Sequence, residues 1–104
     1  MPKENLRIML ACAAGMSTSI LVQRMEDSAR EQGKNYTVWA ADQTMVESEL
    51  GNFDVLLLGP QVRHILRKIK KIVGDAAPVD IIESRAYGRG DGAAVIAQAE
   101  GLVG

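Results

Sequence analysis

The sequence predicts an α/β fold with a single open sheet of four parallel strands, in the order 2-1-3-4, and helices on both faces of the sheet. Four short apolar runs alternate along the chain with segments of helical periodicity, which is typical of a parallel sheet. The apolar runs contain few polar positions, as strands buried on both faces do. Apolar residues make up 47% of the chain and aromatic residues only 4%, so the predicted core is aliphatic.

The first half of the chain supplies two strands and two helices. Residues 6–11 are nearly all apolar and form the first strand. Hydroxyl residues then cap a helix over about residues 17–32, and Gly33 stops it. Residues 36–41 are rich in β-forming side chains and make the second strand, and a short helix follows within residues 42–50.

The second half supplies the other two strands. Residues 53–58 form the third strand, and Pro60 stands in the first turn of a helix that runs through residue 73. The fourth strand is residues 78–82, and residues 83–90 are expected to form a polar loop. Asp91 then caps the last helix.

The predicted strand order places the chemistry at one edge of the sheet. With strand one in the centre, the connections change direction between strands one and three. The loops after these two strands, at residues 12–17 and 59–61, flank one crevice, and the loop after strand four lies beside them. Open α/β sheets bind their ligands at such a place.

Composition excludes several functional classes. A chain of 104 residues is expected to form a single domain, residues 1–104, and a net charge of −1 argues against nucleic-acid binding. One cysteine excludes an internal disulfide and indicates a reducing compartment. The chain has no apolar run of about 20 residues and no signal-peptide pattern, so we expect a soluble cytoplasmic protein without membrane insertion.

Cys12, the only cysteine, directly follows the first strand and begins the segment CAAGMSTS. The first N–H groups of a helix have no partner within it and lie at the positive end of its dipole. A loop of this kind suits an oxyanion and favours a thiolate. We therefore predict that Cys12 is a nucleophile and that the loop binds phosphate. The predicted phosphate-binding residues are Ala13, Ala14, Gly15, Met16, Ser17, Thr18 and Ser19.

An inert cysteine is the competing interpretation, since a lone cysteine usually packs as a small hydrophobic residue. The position of Cys12 at the carboxyl end of the first strand favours the functional interpretation. Thr18 stands where thiol phosphatases of similar architecture have an arginine that steadies the transferring phosphoryl group. Without that arginine a phosphocysteine should form but hydrolyse slowly, as a carrier requires.

Other candidate residues have weaker signals. His64 lies on a basic helix face and is expected to be solvated, and with Cys12 it forms no metal-ligand set. Asp91 is placed better for an N-cap than for a general acid. A basic stripe is either a solvated face or a docking face for an acidic partner: Arg63, Arg67, Lys70 and Lys71.

Three segments resemble the IIB component of the bacterial sugar phosphotransferase system, lactose/chitobiose (cellobiose) family. They are CAAGMSTSILV at residues 12–22, FDVLLLGPQVRHI at 53–65 and AYGRGDG at 86–92, and the resemblance extends over nearly the whole chain. In that family the cysteine that matches Cys12 accepts a phosphoryl group from a phosphohistidine of the IIA partner. It then passes the group to a sugar bound by the IIC permease. Glu83 stands where the family usually has an aspartate, so we assign it no role.

The resemblance implies a cytoplasmic phosphoryl carrier, without a cofactor, that meets IIA and then IIC at the inner face of the membrane. Its activity would be that of a protein-phosphohistidine–sugar phosphotransferase acting on a β-disaccharide such as cellobiose, chitobiose or lactose. The sugar itself is not implied, because sugar selection lies mostly in the permease. The candidate partner contacts are Met16, Pro60, Gln61 and Tyr87.

Three alternatives remain open at this point. A thiol phosphatase and an arsenate-reducing protein share the scaffold, but the lack of an arginine at position 18 and of a second cysteine weighs against both. The third is a flavodoxin-like phosphate-binding module in which Cys12 is inert.

Overall fold

The computed structural model describes residues 5–12 and 16–104, with side chains from residue 19 onward in the second range. Four strands are present: β1 (Arg7–Cys12), β2 (Thr37–Asp42), β3 (Val55–Leu58) and β4 (Val79–Ile81). The α-helices are α1 (Met16–Glu31), α2 (Leu66–Val73), α3 (Ser84–Arg89) and α4 (Gly92–Val103). Three 3-10 segments complete the described elements: Gln43–Met45, Glu47–Glu49 and Pro60–Ile65.

The four strands form one parallel sheet in the order β2-β1-β3-β4. The predicted fold class and strand order are therefore confirmed. In the register, Cys12 lies opposite Asp42 of β2, and Ala11 lies opposite Leu58 of β3. The carboxyl ends of β1, β2 and β3 consequently meet at one edge of the sheet.

Helices cover both faces of the sheet, as predicted. Because successive side chains of a strand point to opposite faces, Ile8 and Leu10 belong to one core cluster and Met9 and Ala11 to another. The first cluster includes residues of α1 and α4, and the second includes residues of α2. All four of these β1 side chains are fully buried, which agrees with the nearly continuous apolar sequence of this strand.

The predicted polar loop over residues 83–90 is wrong, because α3 occupies most of it. The Glu83 carboxylate, which had been given no role, accepts a hydrogen bond of 2.8 Å from the Ala86 amide and so caps this helix. Ala86 is buried in the core, and α3 ends at Gly90 in the left-handed conformation. The cap, the burial of Ala86 and the left-handed Gly90 together stabilise a short helix in a sequence whose glycines predict a loop.

Two other helices differ in kind from the prediction. The short helix after β2 consists of two 3-10 turns, and the helix after Pro60 begins as a 3-10 segment and becomes α-helical only at Leu66. Val62, with φ −113° and ψ 24°, interrupts the helical backbone there. In the described ranges no helix is both long and apolar enough to span a bilayer.

Candidate functional site

Cys12 is the last residue of β1, at the carboxyl end of a strand that has neighbours on both sides. Its side chain is 2% exposed. The Gly59 amide donates a hydrogen bond of 2.9 Å to the Ala11 carbonyl, which fixes the end of β3 beside the cysteine. The strand thus ends one residue later than predicted, and the candidate nucleophile belongs to the sheet.

The predicted phosphate-binding segment is covered in part. Ala13, Ala14 and Gly15 lie outside the described residues. Helix α1 begins at Met16, so the backbone of residues 16–19 forms its first turn, four residues beyond the cysteine. Ser19 is exposed. A helix N-terminus therefore follows Cys12 closely, as predicted, and the assignment of these residues to phosphate binding stays a prediction.

Gly59 permits a close approach between the ends of β1 and β3. A Cβ atom added at Gly59 would lie 3.4 Å from the Cβ of Cys12 and 2.6 Å from Oε1 of Gln61. The Gln61 carboxamide therefore lies over Gly59 at the side of the cysteine. Real Cβ atoms do not approach an oxygen within 2.6 Å, so this arrangement needs a glycine here.

Gln61 is held in turn by Tyr87. Its Nε2 atom donates a hydrogen bond of 2.7 Å to the hydroxyl of Tyr87, which lies on α3. Two of the candidate partner contacts are thus in direct contact, and a third, Pro60, precedes Gln61 in the same 3-10 segment. Pro60 and Tyr87 are half-buried and Gln61 is exposed. The side chain of Met16, the fourth candidate, lies outside the described residues.

A cleft of about 310 Å³ lies beside Tyr87, between α1 and the end of α3. Its lining includes Ile20, which is 62% exposed, and Arg24, whose Nη1 donates to the carbonyls of Arg89 and Gly90 at 3.2 and 3.3 Å. The sequence does not single out Ile20 or Arg24 as candidate site residues. Ile20 could have been found, because it is an apolar residue outside the apolar positions of its helix that face the core.

The carboxylates at the end of β2 and between α3 and α4 are engaged as caps. Asp42 accepts hydrogen bonds of 2.9 Å from both the amide and the hydroxyl of Thr44. These bonds, the amide bond first, hold the pKa of Asp42 below its usual range. Asp91 accepts 3.1 Å from the Ala94 amide, which confirms its predicted place as the N-cap of α4. Both carboxylates thus stabilise local structure.

The basic helix face is exposed as expected. His64 lies in the 3-10 segment and is solvent-exposed, in agreement with the prediction. The four residues of the predicted basic stripe are also exposed: Arg63, Arg67, Lys70 and Lys71.

The fold and the position of Cys12 define a class of protein: small α/β proteins with a cysteine at the carboxyl end of an inner strand, where the connections change direction. Comparison with known proteins makes the class specific. Residues 7–98 match the family described as "PTS system, Lactose/Cellobiose specific IIB subunit". The chain belongs to this family, and the resemblance carried by the three sequence segments is confirmed.

Individual relatives agree. The chain is 42% identical over 102 residues to the PTS system galactose-specific EIIB component of Lactococcus lactis subsp. cremoris, covering 92% of this chain and 94% of that protein. It is 41% identical, with the same coverage, to the cellobiose-specific EIIB component of Lactococcus lactis subsp. lactis. The solution structure of the cellobiose-specific phosphotransferase IIB component of Borrelia burgdorferi has a TM-score of 0.79 at 36% identity, covering 95% of this chain and 92% of that one.

Proposed function

We propose that this chain is a phosphoryl carrier in which Cys12 accepts a phosphoryl group from a phosphohistidine of a IIA protein and passes it to a sugar bound by a IIC permease. The observation that carries the proposal is the position of Cys12, the sole cysteine, at the carboxyl end of β1 and four residues before the first residue of α1. Membership in the lactose/cellobiose-specific IIB family supports the same role. We also propose that residues 1–104 act as one IIB domain.

The proposed reaction has two in-line steps. First, the Cys12 thiolate attacks phosphorus, an S–P bond forms, and the P–N bond breaks with its electron pair leaving on imidazole, which then takes a proton. Second, a sugar hydroxyl attacks phosphorus, loses its proton, and displaces the thiolate. In both steps the amides of residues 13–18 and the hydroxyls of Ser17 and Thr18 would stabilise the charge on the equatorial oxygens.

The surroundings of Cys12 suit a long-lived intermediate. A thiol that is 2% exposed has little access to water, and the Gln61–Tyr87 hydrogen bond lies at its rim. A water molecule needs a general base to attack phosphorus efficiently. Asp42, which lies opposite Cys12 in the sheet, and Asp91 are engaged as caps instead. This environment favours transfer between proteins over hydrolysis.

The proposed sugar class is a β-disaccharide such as cellobiose, chitobiose or lactose. Two relatives of nearly equal identity bear the names of galactose and cellobiose, so identity alone does not choose between sugars. We place the carrier in the cytoplasm, at the inner face of the membrane where the permease lies. Its partner contacts are proposed at Met16, Pro60, Gln61 and Tyr87, around the cysteine edge.

The test is phosphoryl transfer from phosphorylated IIA to the wild type, to Cys12→Ser and to Cys12→Ala. The wild type should take up one phosphoryl group, and both variants should lose labelling by about a hundredfold or more, because a hydroxyl or methyl group does not replace a thiolate nucleophile. Since Cys12 is buried in a strand, the serine hydroxyl costs about 1–3 kcal/mol of stability. Circular dichroism must therefore show that the variants are folded.

The single cysteine provides an independent control. Alkylation of the wild type should block labelling, and prior labelling should protect Cys12 from alkylation. A label that is lost rapidly without sugar would indicate a phosphatase, and a folded wild type that takes up none would indicate a binding module. Wild-type labelling of Cys12→Ser would contradict the assignment of the nucleophile.

A further inference from the structure

The charge of this protein is strongly divided between two regions. Residues 59–74 carry five cationic side chains and no acidic one. Of twelve Lys and Arg residues and thirteen Asp and Glu residues in the chain, seven and thirteen remain elsewhere, so a formal charge of +5 faces −6. We call the cationic set the α2 basic face: Arg63, Arg67, Lys68, Lys70 and Lys71.

The α2 basic face is open to solvent, and the opposite side of the same segment is packed against the sheet. All five side chains are exposed, whereas Val62, Ile69 and Val73 are buried against the sheet. Within the part of the chain that the structure describes, none of the five forms an ion pair. Their charges are therefore available to an external anionic surface.

We propose that the α2 basic face lies on the anionic lipid headgroups around the permease. This rests on the proposed function, which brings the chain to the inner face of a membrane. Clusters of four to eight Lys and Arg residues on a helix are typical of binding to anionic lipid, at about 1 kcal/mol for each residue near the surface. The α2 basic face has five such residues on two to three helical turns.

A protein partner fits this face less well. Stable protein interfaces have an apolar or aromatic centre surrounded by polar residues. The outward positions of this face are Lys and Arg instead, because its apolar residues pack against the sheet. Cytoplasmic loops of membrane proteins are themselves rich in Lys and Arg, so they would repel it. A fluid layer of anionic headgroups needs neither an apolar centre nor a fixed geometry.

The position of the face links lipid binding to the site. The 3-10 segment that carries Arg63 begins directly after Gly59, which lies beside Cys12. A bilayer that attracts this face repels the net acidic remainder of the molecule, so it orients the carrier as well as concentrating it. The cysteine edge is thereby kept near the membrane that holds the permease.

The mode of binding follows from the burial of Val62, Ile69 and Val73. These side chains are committed to the core, and Ile65, Leu66 and Ile72 pack half-buried against it. The α2 basic face therefore has no exposed large apolar side chain to insert among the acyl chains. Binding is therefore electrostatic and should disappear when salt shortens the Debye length to a few ångströms. An inserted amphipathic helix would keep much of its affinity under those conditions.

The test is cosedimentation of the purified protein with vesicles of phosphatidylglycerol and with vesicles of phosphatidylcholine, without IIA, IIC or sugar. The wild type should bind only the anionic vesicles, and only at low salt. Lys68→Gln/Lys71→Gln should weaken binding by about 25-fold, which is about fivefold for each lysine. The matched control, Arg30→Gln/Arg85→Gln, changes the net charge equally at exposed sites elsewhere and should stay within about twofold of the wild type.

The proposal is overturned if the protein binds both kinds of vesicle equally or binds neither, or if the two double variants lose affinity equally. A parallel measurement with polyglutamate gives a further such result, namely binding to polyglutamate but not to vesicles. The last would assign the face to an acidic protein. Cys12→Ser should bind vesicles like the wild type. A failure of lipid binding is thus separate from a failure of phosphoryl transfer, because the vesicle assay contains no phosphoryl donor.

Discussion

Gly59 leaves room for the Gln61 carboxamide beside Cys12. Its backbone, with φ −62° and ψ 146°, is open to any residue, so Gly59→Ala carries no conformational penalty. The new methyl group would lie 2.6 Å from Oε1 of Gln61 and so displace this side chain, whereas its distance of 3.4 Å from the Cβ of Cys12 is an ordinary van der Waals contact. We expect the variant to fold but to accept phosphate about tenfold more slowly, because the displaced carboxamide obstructs the approach of phosphorus to the thiol.

Two variants show whether this effect arises from the collision. Gly88→Ala lies on α3, where an added Cβ meets nothing within 4 Å, and should label at the wild-type rate. Gly59→Ala/Gln61→Ala removes the colliding carboxamide and should recover part of the lost rate. If Gly59→Ala labels as fast as the wild type, the position of the Gln61 carboxamide does not matter for the cysteine.

Single residues also differ in how far the sequence can predict them. Cys12 was predictable because its position after an apolar strand and before a helix cap is a local pattern. The Gln61–Tyr87 hydrogen bond was not, since it joins residues 26 positions apart through a helix that the sequence did not reveal. Glu83 was passed over for the same reason, because a cap has meaning only once the helix is known.

At the scale of elements, a polar cluster holds the C-terminal helix to the turn before β2. Glu100 of α4 accepts hydrogen bonds from Lys34 and from the Tyr36 hydroxyl, and the Lys34 ammonium lies 5.5 Å from the centre of the Tyr36 ring. Partial burial raises the pKa of Glu100, but the hydrogen bonds from Lys34 and Tyr36 lower it more, so the pKa is below its usual 4.5.

Glu100→Gln should therefore destabilise the protein in a pH-dependent manner. The lowered pKa means that the carboxylate stabilises the fold above pH 4.5 and that this contribution is lost as the pH falls through the folded-state value. At neutral pH we expect a loss of about 1–2 kcal/mol, since the cluster is partly exposed. Urea unfolding at neutral and acid pH measures the difference, which should vanish in acid.

Glu31→Gln is the matched control, because it removes an exposed carboxylate at the end of α1. It should leave the urea midpoint nearly unchanged at both pH values. A loss in Glu100→Gln that is the same at neutral and acid pH would mean that packing, and not the carboxylate charge, holds α4 in place.

At the scale of the whole molecule, strand order was the most predictable property. When four strands alternate with helices and every crossover is right-handed, only a few strand orders are possible. Placing the first strand inside the sheet favours the order 2-1-3-4, which is the order observed. That order brings the ends of β1 and β3 together and so locates the site. The α3 helix was less predictable, because it depends on a cap and on the burial of Ala86. Neither feature produces a periodic pattern of apolar residues in the sequence.

The whole molecule should also be sensitive to acid. Three carboxylates have a lowered pKa for stated reasons: Asp42 through the amide and hydroxyl of Thr44, Glu83 chiefly through the Ala86 amide, and Glu100 because its hydrogen bonds outweigh burial. Each stabilises the fold above its usual pKa, 3.8 for Asp42 and 4.5 for the other two, and ceases to do so as the pH falls through its folded-state value. The free energy of unfolding should thus fall as the pH drops below about 5.

The combined variant Asp42→Asn/Glu83→Gln/Glu100→Gln tests this origin. Its amide side chains keep an acceptor oxygen for the capping bonds at positions 42 and 83 and for the bonds from Lys34 and Tyr36. They do not titrate, so the urea midpoint of the variant should change less with pH than that of the wild type. A control with three exposed carboxylates replaced, Glu31→Gln/Glu47→Gln/Asp75→Asn, should keep the wild-type pH dependence. If the control removes the pH dependence and the first variant does not, acid sensitivity arises from general surface charge, and Asp42, Glu83 and Glu100 contribute nothing to it.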